Sequence, residues 1–149
     1  MEIRQITPNE LDRALALVER VFMRFEAPEY SRQGIDTFLA FLQNAEAVGA
    51  LTIYGAFWEG TLAGVLATRG NSHIALFFVE AESQGKGVGR ALFSAAAACA
   101  GDVMTVNSSP YAVEIYRHLG FVPLSGEQVT DGIRFTPMKC ILRKEQEPL

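Results

Sequence analysis

Ser72-His73-Ile74-Ala75-Leu76-Phe77-Phe78-Val79-Glu80-Ala81-Glu82-Ser83-Gln84-Gly85-Lys86-Gly87-Val88-Gly89-Arg90-Ala91-Leu92-Phe93 reads as a strand, a loop and the opening of a helix. The apolar run ending at Val79 has the length of a buried strand, and Val88, Leu92, Ala96 and Cys99 then recur at helical spacing. Between them, glycine at 85, 87 and 89 removes every second side chain just where the helix starts. Backbone N–H groups in such a segment can close on a ligand that a Cβ would hold away. The first helical turn adds unpaired amides and a partial positive charge. Lys86 and Arg90 add full charges beside it, so the expected ligand is a phosphate or pyrophosphate.

Spacing separates the glycine-rich phosphate loops from one another. A dinucleotide fold requires G-x-G-x-x-G, but the third position is Arg90 counted from Gly85 and Leu92 counted from Gly87. A Walker loop requires a lysine followed by a hydroxyl residue that holds magnesium, and Lys86 is followed by Gly87. What remains resembles the pyrophosphate loop of the GNAT N-acetyltransferases, [QR]-x-x-G-x-[GA] at the start of a helix, which Gln84-Gly85-Lys86-Gly87-Val88-Gly89 fits at each position.

Outward from that loop, Leu51 to Trp58 and Leu62 to Thr68 are strand-like runs joined by a tight Glu59-Gly60 turn, and Gly70-Asn71 turns the chain into the central strand. Glu2 to Ile6 is a first strand. Thr7-Pro8-Asn9-Glu10 is a capping box that opens a helix with Leu11, Leu15, Val18, Phe22 and Phe25 on its apolar face. Ile35, Phe38, Leu39 and Leu42 mark a second helix, with Ser31 as its cap. Downstream, Val103 to Val106 is a strand that a helical crossover places parallel to the central one. Ser109-Pro110 opens a helix that Gly120 stops. Phe121 to Leu124 and Ile133 to Leu142 are the last strands, with Pro137 indicating that the final one is interrupted or at an edge. The charged tail from Arg143 is expected to fray.

This order is similar to the GNAT fold along nearly the whole chain. A second motif agrees: the family commonly carries Asn after its fifth strand and then a helix ending in Tyr-x-x-x-Gly-Phe, here Asn107, Tyr116, Gly120 and Phe121. The resemblance implies a single N-acetyltransferase domain over residues 1–149, α/β, with a mixed and mostly antiparallel sheet of six to seven strands flanked by about four helices.

It also implies acetyl-CoA as cofactor and direct transfer of acetyl to a primary amine. By it, the backbone of Phe77, Phe78 and Val79 meets the pantetheine. Gln84, Gly85, Lys86, Gly87, Val88, Gly89 and Arg90 hold the pyrophosphate. Asn107 either bonds the pantetheine arm or caps the Ser109 helix. Tyr116 is the general acid for the departing thiol. Phe25, Glu26 and Tyr30, in the connection between the first two helices, are candidate acceptor contacts. The central strand contains no acid, so its one titratable group, His73, is the candidate base, with Glu80 just beyond Val79. The acceptor is a small-molecule or protein amine left unassigned, and family members are often homodimers. A non-catalytic CoA-binding or sensor domain, or a transferase of another short acyl group, would keep the same loop.

Composition bounds these readings. With 49% hydrophobic and 20% charged residues the chain is expected to be globular and cytoplasmic, with no run of apolar residues long enough for a membrane span and no signal-peptide order at Met1-Glu2-Ile3-Arg4. A net charge of −4 argues against general nucleic-acid binding, which draws its affinity from phosphate neutralisation. Cys99 and Cys140 lack metal-ligand spacing, and no metal is expected.

Overall fold

A computed structural model describes residues 1–142; the tail from Arg143 lies outside the described residues. The chain runs β1 (Glu2–Gln5), α1 (Leu11–Phe25), α2 (Arg32–Leu42), α3 (Ala45–Gly49), β2 (Thr52–Trp58), β3 (Thr61–Arg69), β4 (His73–Val79), α4 (Val88–Cys99), β5 (Val103–Ser108), α5 (Val113–His118), β6 (Val122–Pro123), β7 (Gln128–Thr130) and β8 (Ile133–Ile141). The strands form one sheet in the order β1-β2-β3-β4-β5-β8-β6, with β7 also on β8. All pairs are antiparallel except β4 with β5. This is the mixed α/β fold expected from the sequence. Two short elements, α3 and β7, bring the count to eight strands and five α-helices among the described residues.

Two apolar layers cover the sheet. Leu17, Val18, Val21 and Phe22 of α1 pack with Val65, Leu76 and Phe78 on one face. Val88, Leu92 and Ala96 of α4 pack with Tyr54, Leu66, Ile74 and Met104 on the other. Local chemistry sets the boundaries. The capping box at Thr7 stands, but its proline opens a 3₁₀ turn (Pro8–Glu10) that runs on into α1. In it the Thr7 N–H donates to Glu10 Oε1 at 2.8 Å, and Arg4 grips the same carboxylate. Ser31 caps α2 by accepting from the Gly34 N–H. The Glu59-Gly60 turn has both residues at positive φ, as a two-residue hairpin requires. Helix α5 begins at Val113 rather than beside Pro110, because Ser109 Oγ caps a turn at the Ala112 N–H first.

Pro137 does not mark an edge or a break. Strand β8 is continuous and lies between β5 and β6. The Pro137 carbonyl accepts from the Leu124 N–H, so the side of the residue that lacks a donor faces the β6 side and not β5. There the loop between β6 and β7 requires no ladder bond from it.

Where β4 leaves β5 is decided by one residue. Thr68 pairs with Ile74 and Ala67 with Leu76, so Ala75 is an extra residue on β4, a bulge. Bulges bend a strand and raise its twist. The parallel register with β5 accordingly stops at Ile74↔Val106, although both strands continue. The β4 edge from there to Val79 has no strand beside it, and the sheet opens.

Helix α2 reaches the far side of this opening through two glycines. A methyl group added at Gly34 would overlap the Gly132 carbonyl oxygen, and Thr37 Oγ1 donates to the Asp131 carbonyl at 2.7 Å. Gly34→Ala must therefore push α2 off the β7–β8 turn. The expected cost is about 1–3 kcal/mol of stability, read by chemical denaturation. A variant as stable as the parent would show that the turn moves freely.

Candidate active site

The opening holds two cavities, one on each side of the gap. The first, of about 420 Å³, is lined by Phe77, Val79, Gln84, Gly85, Gly89, Tyr111 and Ile115 among others. The second, of about 320 Å³, is lined by Tyr30, Phe38, Phe41, Arg69, His73 and Asn107 among others. Glu26, Phe77, Phe78, Ala112 and Tyr116 line both. A molecule entering from the glycine loop and one entering from the His73 side would therefore meet at those five residues.

The glycine loop has the expected conformation. Gly85 and Gly87 lie at φ +76° and +84°, and Gly87 is the residue from which α4 starts. Left-handed positions of this kind turn successive N–H groups toward one side, a concavity suited to an anion. The first α4 amides, at Val88, Gly89 and Arg90, precede the first i→i−4 bond, which Ala91 makes to Gly87. Val88 can contribute only its backbone, because its side chain is 1% exposed and packs in the core. Gln84 Nε2 donates to the Val79 carbonyl at 3.0 Å and ties the loop to the end of β4. Lys86 and Arg90 are exposed, and Arg90 reaches the His118 carbonyl. A further cavity lined by Gly85, Gly87, Arg90, Glu114 and His118 continues outward from the loop. Together these residues fit a diphosphate with an extended arm running along the bare β4 edge.

Tyr116 is 6% exposed, T-stacked on Phe77 with ring centroids 6.0 Å apart and on Phe121 at 5.3 Å. Among the described residues its hydroxyl has no hydrogen-bond partner. Among the described residues the only fully enclosed side-chain polar atom without one is Thr68 Oγ1, so the Tyr116 oxygen opens onto the cleft. Burial first, and then the neighbouring Glu26 carboxylate, push its pKa well above the usual phenol value. It is a proton donor at any physiological pH.

Glu26 sits where α1 ends, at the C-cap, followed by the 3₁₀ turn Ala27–Glu29. Burial is the main reason its pKa is pushed up to about 7; the Ser109 hydroxyl works against that shift and Glu29 adds to it. As a residue Glu26 is only half-buried, but it lines the inner junction of both cavities. Such a carboxyl exchanges its proton near neutrality.

The other expected residues are spread along the cleft. His73 stands at the far end of the second cavity, its Nδ1 2.8 Å from Thr105 Oγ1, with its pKa lowered by burial and then by Arg69. Asn107 is exposed on the second cavity and does not cap the following turn, a role Ser109 fills. Tyr30 lines the same cavity and donates to the Arg134 carbonyl at 3.3 Å. Phe25 lines neither; it stacks on Tyr111 at 5.4 Å and supports the wall of the first. Glu80 pairs with Arg20, away from both.

The sequence reading did not single out Ser109, Tyr111, Phe38 or Arg69 as site residues. Arg69 had a usable signal: it ends a strand one tight turn before His73, so hairpin pairing sets the two side by side. No comparable signal marks Tyr111.

A splayed mixed sheet with a glycine loop at a helix start defines an α/β fold built to seat an extended, phosphate-bearing cofactor. The model of the acetyltransferase (GNAT) domain matches residues 26–142, and the chain belongs to that family. Three solved structures have the same fold. A GCN5-related N-acetyltransferase from Rhodopseudomonas palustris is 21% identical, with 95% of each chain covered and a TM-score of 0.81. The PaiA N-acetyltransferase of Thermoplasma acidophilum, solved in complex with coenzyme A, is 18% identical over 95% of this chain and 98% of its own, at 0.70. YjaB from Escherichia coli, in its apo form, is 22% identical over 93% and 95%, at 0.71. No curated protein matches the chain. Among the described residues no helix is long and apolar enough to cross a membrane, and no group of acids, histidines and cysteines could hold a metal.

Proposed function

We propose that the protein is a cytoplasmic N-acetyltransferase that moves acetyl from acetyl-CoA directly to a primary amine. The observation that carries this reading is the shared junction of the two cavities, where a carboxyl poised near neutrality and a protonated phenol sit together. Acetyl-CoA, when bound, supplies the activated acetyl group as a thioester. The amides of Val88, Gly89 and Arg90 and the left-handed Gly85 and Gly87 would hold its diphosphate, with Lys86 and Arg90 adding charge. The free edge of β4 at Phe77–Val79 would hold the arm by backbone hydrogen bonds, and an N–H there would polarise the carbonyl as charge builds on it.

Glu26 answers the proton problem of the acceptor. An alkylammonium with a pKa near 10.4 is neutral in only about one molecule in 2,500 at pH 7. Glu26, in reach of both cavities, takes that proton as carboxylate. We assign the base to Glu26 rather than His73, because His73 lines only the acceptor side, near its outer end. Tyr116 gives its proton to the departing sulfur, and water in the joined cavities returns the proton from Glu26 to Tyr116.

Release of free thiol on mixing protein, acetyl-CoA and a panel of amines tests the reading, with acetyl-, propionyl- and succinyl-CoA compared side by side. Acetyl preference with amine-dependent release is expected. Tight CoA binding with no release from any amine would make the protein a sensor instead. For Tyr116→Phe the expected loss in kcat is moderate, about tenfold, because a thiol of pKa about 8.5 leaves fairly well unaided. An unchanged kcat would remove Tyr116 as the acid.

A further inference from the structure

The acceptor cavity has an uneven charge pattern. Its inner end carries Glu26, its only carboxylate, and its walls are the rings of Tyr30, Phe38, Phe41 and Phe78. At its outer end lie Arg69 and His73, paired across β3 and β4. Most arginines here are already matched: Arg4, Arg13, Arg20, Arg32, Arg117 and Arg134 each have a carboxylate within ion-pair distance. Arg69 has none among the described residues. Its neighbour His73, whose ring nitrogen is held by Thr105, carries no negative charge that could offset the guanidinium.

We infer that the acceptor is an amine carrying a carboxylate at its far end, which Arg69 binds while the amine meets Glu26. This rests on the transferase reading and narrows its substrate class. His73, with Arg69 opposite it on β3, stands four residues before Phe77, roughly 13 Å along a strand. A guanidinium reaching inward spans part of that distance, so the two charges of the acceptor are separated by several bonds, with an apolar or aromatic body between the rings. An α-amine directly beside its own carboxylate is too short. A polycation would bring like charge to Arg69 with one carboxylate to receive it.

The test uses matched amines with acetyl-CoA: 4-(aminomethyl)benzoate, its phosphonate counterpart, and 4-methylbenzylamine, which lacks the anion. A charge-assisted bond to Arg69 is expected to raise kcat/KM for the carboxylate about tenfold over the neutral amine, chiefly through KM. In Arg69→Gln that ratio is expected to fall toward one, and in Arg69→Lys to recover in part. A phosphonate preferred over the carboxylate would overturn the assignment to carboxylates. Equal kcat/KM for all three, or a ratio that survives in Arg69→Gln, would overturn the role of Arg69 and leave the transferase standing. Calorimetry on the CoA-loaded protein separates the two claims. Arg69-dependent binding of 4-(aminomethyl)benzoate with no thiol release would support the anion site and refute the transferase. Neither binding nor release would refute both.

Discussion

Glu26→Gln is expected to lower kcat/KM for amine acetylation at pH 7.5 by at least about a hundredfold, within the 10²–10⁴ range that a positioned base contributes. The substitution keeps the shape of the side chain and removes only its ability to take a proton. The parent enzyme should show an acidic limb in kcat/KM centred near 7, the value to which burial raises this carboxyl. In the variant that limb should vanish, leaving a rate that climbs with the neutral fraction of the amine itself. A parent-like limb in the variant would move the base elsewhere, with His73 the next group to test.

The same change has a stability signature of known sign. Folding raises the pKa of Glu26 from 4.5 to about 7, so proton binding favours the folded state. That contribution is full below about 4.5 and is lost as pH rises through 7, where the cleft must hold an uncomfortable carboxylate. Glu26→Gln should therefore melt higher than the parent at pH 8 and at nearly the same temperature at pH 4.5. Such an exchange of stability for activity is common at active sites.

The second large effect belongs to the glycine loop. Gly87→Val places a β-branched residue at φ +84°, a conformation that costs an L-residue roughly 1–2 kcal/mol and rarely suits a branched one. A Cβ at Gly85 or Gly87 meets no protein atom within 4 Å, so the core is undisturbed and the strain falls on the loop. Coenzyme A affinity should drop at least about tenfold in Gly87→Val and about a hundredfold in the double variant with Gly85→Val, by calorimetric titration. Gly60 is a fair control, also at positive φ with open space around it but in the β2–β3 turn. Gly60→Val should lose stability yet bind coenzyme A normally. Equal loss of affinity in all three would mean that strain alone, anywhere, weakens the site.

Much of this architecture could be read from residues whose chemistry is local. Gly85 and Gly87 need no tertiary context to announce a left-handed loop, nor does Gly120, which stops α5 at φ +103°. The run from Tyr116 to Phe121 and the Glu59-Gly60 turn behave likewise. What could not be read depends on partners far along the chain. Nothing in His73-Ile74-Ala75-Leu76-Phe77-Phe78-Val79 distinguishes Ala75, yet its bulge parts β4 from β5 and creates the cleft. Pro137 was expected to interrupt its strand or lie at an edge because a proline lacks a donor; the strand is continuous and interior, and the missing donor faces a loop. Helix α3 is a single short turn capped by Asn44, too brief for periodicity to show. Glu26 was read as an acceptor contact, and only the meeting of two cavities at its carboxyl suggests a base. Arg69 is one charge at the end of a buried strand until the fold shows that no acid among the described residues pairs with it.

The most direct test of the account is a crystal structure with coenzyme A bound. It should place the diphosphate on the amides between Gly85 and Arg90, the arm along the free edge of β4, and the sulfur between the Tyr116 hydroxyl and the Glu26 carboxylate. A diphosphate bound elsewhere, or a sulfur outside the gap between β4 and β5, would contradict it.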